Sequence, residues 1–252
     1  MSLHEVRYFS QTLQKSTGTL VIHPDPSVPG PYHCMVLLHG LSDDYSAWQR
    51  RTSIERYVAD KPLIVVMPDG GRGFYVDALQ GYQYLQALAY ELPDLLRHWF
   101  TIEGKWCTAG LSMGGYGAFR IALERPDLFV SAVSHSGAMI IGRYYPTAAP
   151  ESNEEREAAF INEFLPVFGV ASPGGKDDLV ALAQKASPLP ALRFDCGTED
   201  FLIESNRTVH RELDVLGIRH EYQEFPGDHN WEYWDEHIRE AIAFNLKNLN
   251  GK

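Results

Sequence analysis

Residues 110–114 read Gly110-Leu111-Ser112-Met113-Gly114. This is the Gly-x-Ser-x-Gly spacing of a serine carried on a sharp strand-to-helix turn. A predicted strand, Trp106–Leu111, precedes it and a helical pattern, Gly117–Leu123, follows, which is the setting such a turn requires. The glycines suit a tight turn where neighbouring segments come close, and the turn lifts the hydroxyl above the sheet edge. A serine hydroxyl is a weak nucleophile at neutral pH. It needs a base within hydrogen-bond reach, and the base needs an acid to orient it. The chemistry on offer is acyl transfer.

In the chain order Ser, then Asp or Glu, then His, the base and the acid lie downstream of Ser112. The downstream histidines are His135, His210, His220, His229 and His237. His229 stands out, because Pro226-Gly227-Asp228-His229-Asn230-Trp231 reads as a loop between the last strand and the last helix. His135 has no suitable acid between it and Ser112. His210 and His237 fall in helical patterns and His220 in a strand. The acid should follow a strand that reaches the same sheet edge, here Leu192–Cys196, so Asp200 is the choice and Glu199 the close alternative. Asp195 belongs to the strand itself, and Asp228 reads as a turn former. Two backbone amides are candidates for an oxyanion hole: Met113, just after the nucleophile, and Leu41, in the loop after an upstream strand. His39 precedes Ser112 and is read as a brace for that loop. Among the aromatics, Trp48, Tyr75 and Trp231 are candidates to line a substrate pocket, and Trp234 is read as core.

The elements that must position these residues alternate. Val6–Leu13 and Thr17–His23 read as an opening pair of strands. Cys34–Leu38 and Leu63–Met67 are apolar at every position, as strands buried on both faces are. Leu85, Leu88, Ala89, Leu92, Leu95, Leu96 and Trp99 follow helical spacing, with a kink or fresh start expected at Pro93. Strands over Phe129–Ser134, Leu192–Cys196 and Arg219–Phe225 and a closing helix over Asp235–Leu249 complete the pattern. Strand–helix alternation predicts a mostly parallel sheet covered on both sides. Residues 138–186 break the rhythm with Pro, Gly and charges around a helical piece at Glu154–Phe164. They read as an insertion within one domain spanning residues 1–252, either a lid or pocket wall or a surface elaboration.

Composition narrows the classes. The 252 residues are 44% hydrophobic and carry a formal charge of −11, which argues against disorder and against a nucleic-acid partner. No apolar run approaches the roughly 20 residues needed to span a bilayer, so no membrane partner is expected. Cys34, Cys107 and Cys196 form no metal-type pair, so no metal site and no disulfide framework is expected. The first residues lack signal-peptide character, and a cytoplasmic location is the expectation.

Several longer segments together resemble the tributyrin-esterase branch of the esterase D-like hydrolases, which also includes S-formylglutathione hydrolases. They are Leu37-Leu38-His39-Gly40-Leu41-Ser42-Asp43-Asp44 with Trp48, and Met67-Pro68-Asp69-Gly70-Gly71-Arg72-Gly73-Phe74-Tyr75. Gly110–Gly115, Cys196-Gly197-Thr198-Glu199-Asp200-Phe201-Leu202 and Gly227-Asp228-His229-Asn230-Trp231 with Tyr233-Trp234-Asp235 follow in order. The resemblance covers nearly the whole chain. It implies an α/β-hydrolase fold with a roughly eight-stranded sheet. It also implies cofactor-free hydrolysis of short acyl esters, acetyl to butyryl, by Ser112, Asp200 and His229, and it favours Asp200 over Glu199. Alternatives on the same scaffold are an S-formylglutathione-type thioesterase, a feruloyl or acetyl-sugar esterase and an acyltransferase. A small-molecule ester is the expected partner, with a homodimer or higher homo-oligomer as a weaker expectation.

Overall fold

The structure, a computed structural model, describes residues 1–143 and 162–251. Eight strands form one sheet in the order β1-β2-β4-β3-β5-β6-β7-β8. Strands β1 (Ser2–Ser10) and β2 (Lys15–His23) make an antiparallel hairpin, and β2 pairs antiparallel with β4 (Leu63–Pro68). All remaining pairings are parallel, through β3 (His33–Leu38), β5 (Trp106–Leu111), β6 (Phe129–His135), β7 (Ala191–Gly197) and β8 (His220–Phe225).

The period-2 pleat divides the apolar strand residues between two cores. On one face, Val36, Leu38, Ile64 and Val66 pack with Leu92 and Leu96 of α4 (Leu92–Trp99) and with Phe119 of α5 (Met113–Glu124). The same face receives α7 (Leu179–Lys185) and α8 (Ile203–Val215). On the other, Met35, Leu37, Val65 and Met67 pack with α1 (Ala47–Arg51), α2 (Ile54–Val58) and α9 (Trp231–Leu249). Every residue of β3, β4 and β5 is buried, which is why Cys34–Leu38 and Leu63–Met67 are apolar without alternation.

Three details refine the sequence reading. The fresh start expected at Pro93 falls one residue earlier, at Leu92. A short α3 (Tyr84–Gln86) runs into a π-helical turn, Ala87–Glu91, and then into α4, with Pro93 in its first turn. Proline cannot donate to the carbonyl four residues back, and Ala89 O instead accepts from Arg125 Nη1 at 3.0 Å. The wider turn shifts the helical phase, and Trp99 ends exposed against Tyr8. Next, α9 begins at Trp231, earlier than the expected Asp235, because the Asn230 side chain accepts from Tyr233 N and caps it. Finally, residues 138–186 hold more helix than one piece. Residues 162–168 are helical (α6) and α7 follows, capped by Asp178. Residues 154–161 of the expected Glu154–Phe164 helix lie outside the described residues.

The chain from β3 turns to β4 on one side of the sheet, and the chain from β5 turns to β6 on the other. Between β3 and β5, therefore, the loops leaving the carboxyl ends diverge. Open α/β sheets bind ligands in the crevice this creates.

Candidate functional site

Ser112 caps α5 at this crevice with φ 53° and ψ −117°, a conformation costly for a residue with a side chain. The turn is held by Ser112 N donating to His135 O at 2.9 Å and Ala138 N donating to Ser112 O at 3.1 Å. A Cβ at Gly110 would lie 2.2 Å from Gly114 O, and one at Gly114 would lie 2.3 Å from Leu38 O. Only hydrogen fits at either place, so both glycines of the motif are needed for the backbone to close on itself.

The structure brings together three of the side chains that the sequence singled out. Ser112 Oγ lies 3.0 Å from His229 Nε2, and His229 Nδ1 lies 2.9 Å from Asp200 Oδ2. Asp200 follows β7 and His229 follows β8, so consecutive parallel strands deliver both to the edge where β5 delivers Ser112. Asp200 Oδ1 accepts from Leu202 N at 2.8 Å, and Ser136 adds a side-chain hydrogen bond to the same carboxylate. Burial opposes ionisation of Asp200. The hydrogen bonds from His229, Leu202 and Ser136 outweigh it and hold the carboxyl below the ordinary aspartate range.

Glu199 takes another place. Its Oε2 accepts from Gly227 N at 2.6 Å, and Glu199 N donates to Gly227 O at 3.0 Å. The residue ties the acid-bearing loop to the His229 loop and does not face the imidazole. Asp228 accepts from His229 N at 2.7 Å, closing a turn. His135 is fully buried, with Nδ1 2.9 Å from Asp195 Oδ2. Tyr233 Oη donates to the same Asp195 at 2.9 Å.

The loop after β3 has a distinct construction. Leu38 O accepts from Trp48 Nε1 at 2.9 Å, and His39 O accepts from Tyr75 Oη at 2.9 Å. Gly40 O accepts from His39 Nδ1 at 2.8 Å, and Leu41 O accepts from Arg72 Nη1 at 3.2 Å. Four successive carbonyls are thus each taken by a side-chain donor. His39 Nε2 in turn accepts from Gly70 N at 3.0 Å. Among the described residues, neither the Leu41 N–H nor the Met113 N–H has a protein acceptor. Leu41 lines the cavity beside Ser112, and Met113 is the first residue of α5.

This construction corrects two of the pocket assignments. Trp48 is 1% exposed and Tyr75 0%, and neither lines the cavity. Each spends its single polar atom on a loop carbonyl, which draws the ring beneath the loop. Trp231 does line the cavity, a space of about 490 Å³ bounded also by Leu41, Asp43, Arg51, Phe201 and Trp234. Phe201 was not expected there, and Trp234, 5% exposed and packed in the core as the sequence reading has it, reaches the cavity from beneath. Phe201 is 75% exposed with its ring 4.6 Å from that of His229, and Trp234 meets the same imidazole edge-on at 4.9 Å. Trp234 Nε1 donates to Ser136 Oγ at 3.2 Å. Ser136 was also missed. Its signal was its place immediately after β6, between the strands that deliver Ser112 and Asp200.

An open parallel sheet with a serine on a strained strand–helix turn, faced by an imidazole and a carboxylate from the next strand ends, defines an α/β-hydrolase. Known proteins agree with that class. A family model described as "Putative esterase" matches residues 10–244. An acetyl esterase of Caldicellulosiruptor saccharolyticus is 28% identical over 266 residues, covering 98% of this chain and 99% of that protein. Two Staphylococcus aureus structures superpose with a TM-score of 0.81 at 29% identity, covering 97% of this chain and 98% of theirs. One is fluorophosphonate-binding serine hydrolase F with substrate bound, the other an S-formylglutathione hydrolase without ligand. A ferulic acid esterase at 21% identity and a TM-score of 0.79 shares the fold. The chain belongs to this esterase family, within its esterase D-like group, and is a carboxylic ester hydrolase. No described helix is long and apolar enough to cross a membrane.

Proposed function

We propose that this chain hydrolyses short-chain acyl esters, acetyl to butyryl, through an acyl-enzyme on Ser112. The observation that carries the reading is the continuous relay from Ser112 Oγ to His229 Nε2 at 3.0 Å and from His229 Nδ1 to Asp200 at 2.9 Å. His229 takes the hydroxyl proton as Oγ attacks the ester carbonyl. The negative Asp200 fixes the Nδ1–H tautomer and stabilises the imidazolium that forms. The Leu41 and Met113 amides receive the oxyanion. His229 then protonates the leaving alcohol, and water repeats the cycle on the acyl-enzyme.

Two relatives support the reading. One is an acetyl esterase by name, and the other is by name a serine hydrolase that binds fluorophosphonates. A second reading, thioester hydrolysis of the S-formylglutathione type, draws support from the other Staphylococcus structure and from Arg51. That exposed cation on the cavity wall suits a carboxylate on the leaving thiol. A panel of p-nitrophenyl esters from acetyl to octanoyl, run beside S-formylglutathione, tests both. A steep fall in kcat/KM beyond butyryl is expected. A maximum at octanoyl overturns the short-acyl reading, and a higher kcat/KM on S-formylglutathione than on any ester favours the second.

A further inference from the structure

A second cluster of chemically capable side chains lies away from the hydrolytic crevice. His210 and Asp214 stand one turn apart on α8, and His220 opens β8. Spacing of four places the first two on one helix face. One potential ligand atom from each of the three residues falls within a mutual 4.8 Å. His220 Nδ1 lies 2.8 Å from Ile218 O. A carbonyl only accepts, so Nδ1 carries the proton and Nε2 presents its lone pair. That lone pair faces His210 Nδ1 at 2.8 Å and Asp214 Oδ1 at 3.8 Å. Asp214 Oδ2 is 3.5 Å from His210 Nε2. Both rings are held in place: Tyr222 stacks on His210 at 4.6 Å, and Phe194 stacks on His220 at 5.6 Å.

We propose that His210, Asp214 and His220 bind a divalent transition-metal ion, with zinc the best match. Two imidazoles and one carboxylate form a borderline nitrogen–oxygen set that zinc accepts, whereas magnesium and calcium favour oxygen alone. Zinc–nitrogen bonds of about 2.0–2.1 Å in tetrahedral geometry set two nitrogens about 3.3 Å apart. The histidine pair therefore opens by about half an ångström on binding. The His210 side chain, a third exposed on its helix, has room for that shift. The hydrogen bond from His220 Nδ1 to Ile218 O is the outer contact that orients a metal-bound imidazole, and water completes the coordination. The ion would join the end of α8 to the start of β8 across the turn at residues 216–219. β8 is an edge strand, and this is its end remote from His229, so the role is a structural clamp.

The test uses the full chain stripped with chelator and dialysed against zinc chloride, with metal analysis and thermal unfolding as readouts. One zinc per chain is expected. With zinc a hundredfold above its Kd, Tm should rise by about 5 °C, and magnesium should leave it unchanged. His220 is nearly buried, so the variants are the more exposed His210→Gln and Asp214→Asn. Each should weaken zinc binding at least about tenfold, since loss of an outer-shell partner alone costs about 10–100-fold, and at the same zinc concentration should cut the Tm rise to about half or less. Absence of bound zinc in the parent, or unchanged affinity in the double variant, overturns the proposal.

Discussion

Asp200→Asn is the sharpest probe of the proposed relay, because the structure dictates which way the new amide must face. Asp200 Oδ1 accepts from the Leu202 N–H at 2.8 Å, and a backbone amide cannot become an acceptor. The asparagine oxygen must therefore stay on that side. Its NH2 then takes the Oδ2 position, 2.9 Å from His229 Nδ1. An amide N–H pointed at Nδ1 requires Nδ1 to accept, which moves the ring proton to Nε2. The Nε2 lone pair that should take the Ser112 proton is gone, and so is the negative charge opposite the imidazolium. A loss of about 10⁴ in kcat is expected, equal to about 5.5 kcal/mol of transition-state stabilisation. KM should change little, since Asp200 does not line the cavity. The assay is steady-state hydrolysis of p-nitrophenyl acetate at neutral pH, with circular dichroism to show that the fold persists. Glu199→Gln is the control. Its carboxylate bonds Gly227 N and does not face the imidazole, so its loss should stay below about tenfold. A fall of less than tenfold for Asp200→Asn, or a larger fall for Glu199→Gln, would refute the tautomer argument.

Ser112→Ala should abolish ester hydrolysis and fluorophosphonate labelling while leaving the fold intact. Ser112→Gly should be equally inactive yet unfold at a higher temperature than Ser112→Ala, because glycine relieves the φ of 53°, a strain of about 1–3 kcal/mol. Gly114→Ala should lose soluble expression or at least about 3 kcal/mol in urea unfolding, since its methyl would sit 2.3 Å from Leu38 O. Stability should also fall as pH drops below about 6.5. Burial lowers the pKa of His237 from 6.5, so the unfolded chain binds the extra proton first and unfolding gains from acidification. His237→Phe, stacked on Phe225, should flatten that slope in Tm measured between pH 8 and about 5.

Much of this was legible in the sequence, for identifiable reasons. Runs apolar at every position announced β3 and β4, because both sheet faces are covered. The strand–turn–helix setting of Ser112 and the order of the later strands pointed to Asp200 and His229, since a parallel sheet gathers its carboxyl ends at one edge. What stayed hidden depends on pairings distant in sequence. Trp48 and Tyr75 looked like pocket walls from their neighbourhood, and only their bonds to Leu38 O and His39 O show them to be loop supports. Ser136 bonds the carboxylate of Asp200, a residue 64 positions later in the chain, and its place just after β6 tells of that partner only once the strand order is known. The π turn before Pro93 leaves Ala89 O to Arg125, which reaches it from another element.

The link between the Asp200 and His229 loops has a bearing on motion. Thr198 N donates to Phe225 O at 2.8 Å, Glu199 N donates to Gly227 O, and Gly227 N donates to Glu199 Oε2. Acid and base therefore ride on one stapled unit, while Ser112 is anchored separately to His135 O and Ala138 N. The imidazole–carboxylate contact is therefore braced within one unit, whereas the contact along which the proton travels, from Ser112 Oγ to His229 Nε2, is the seam between that unit and the Ser112 turn.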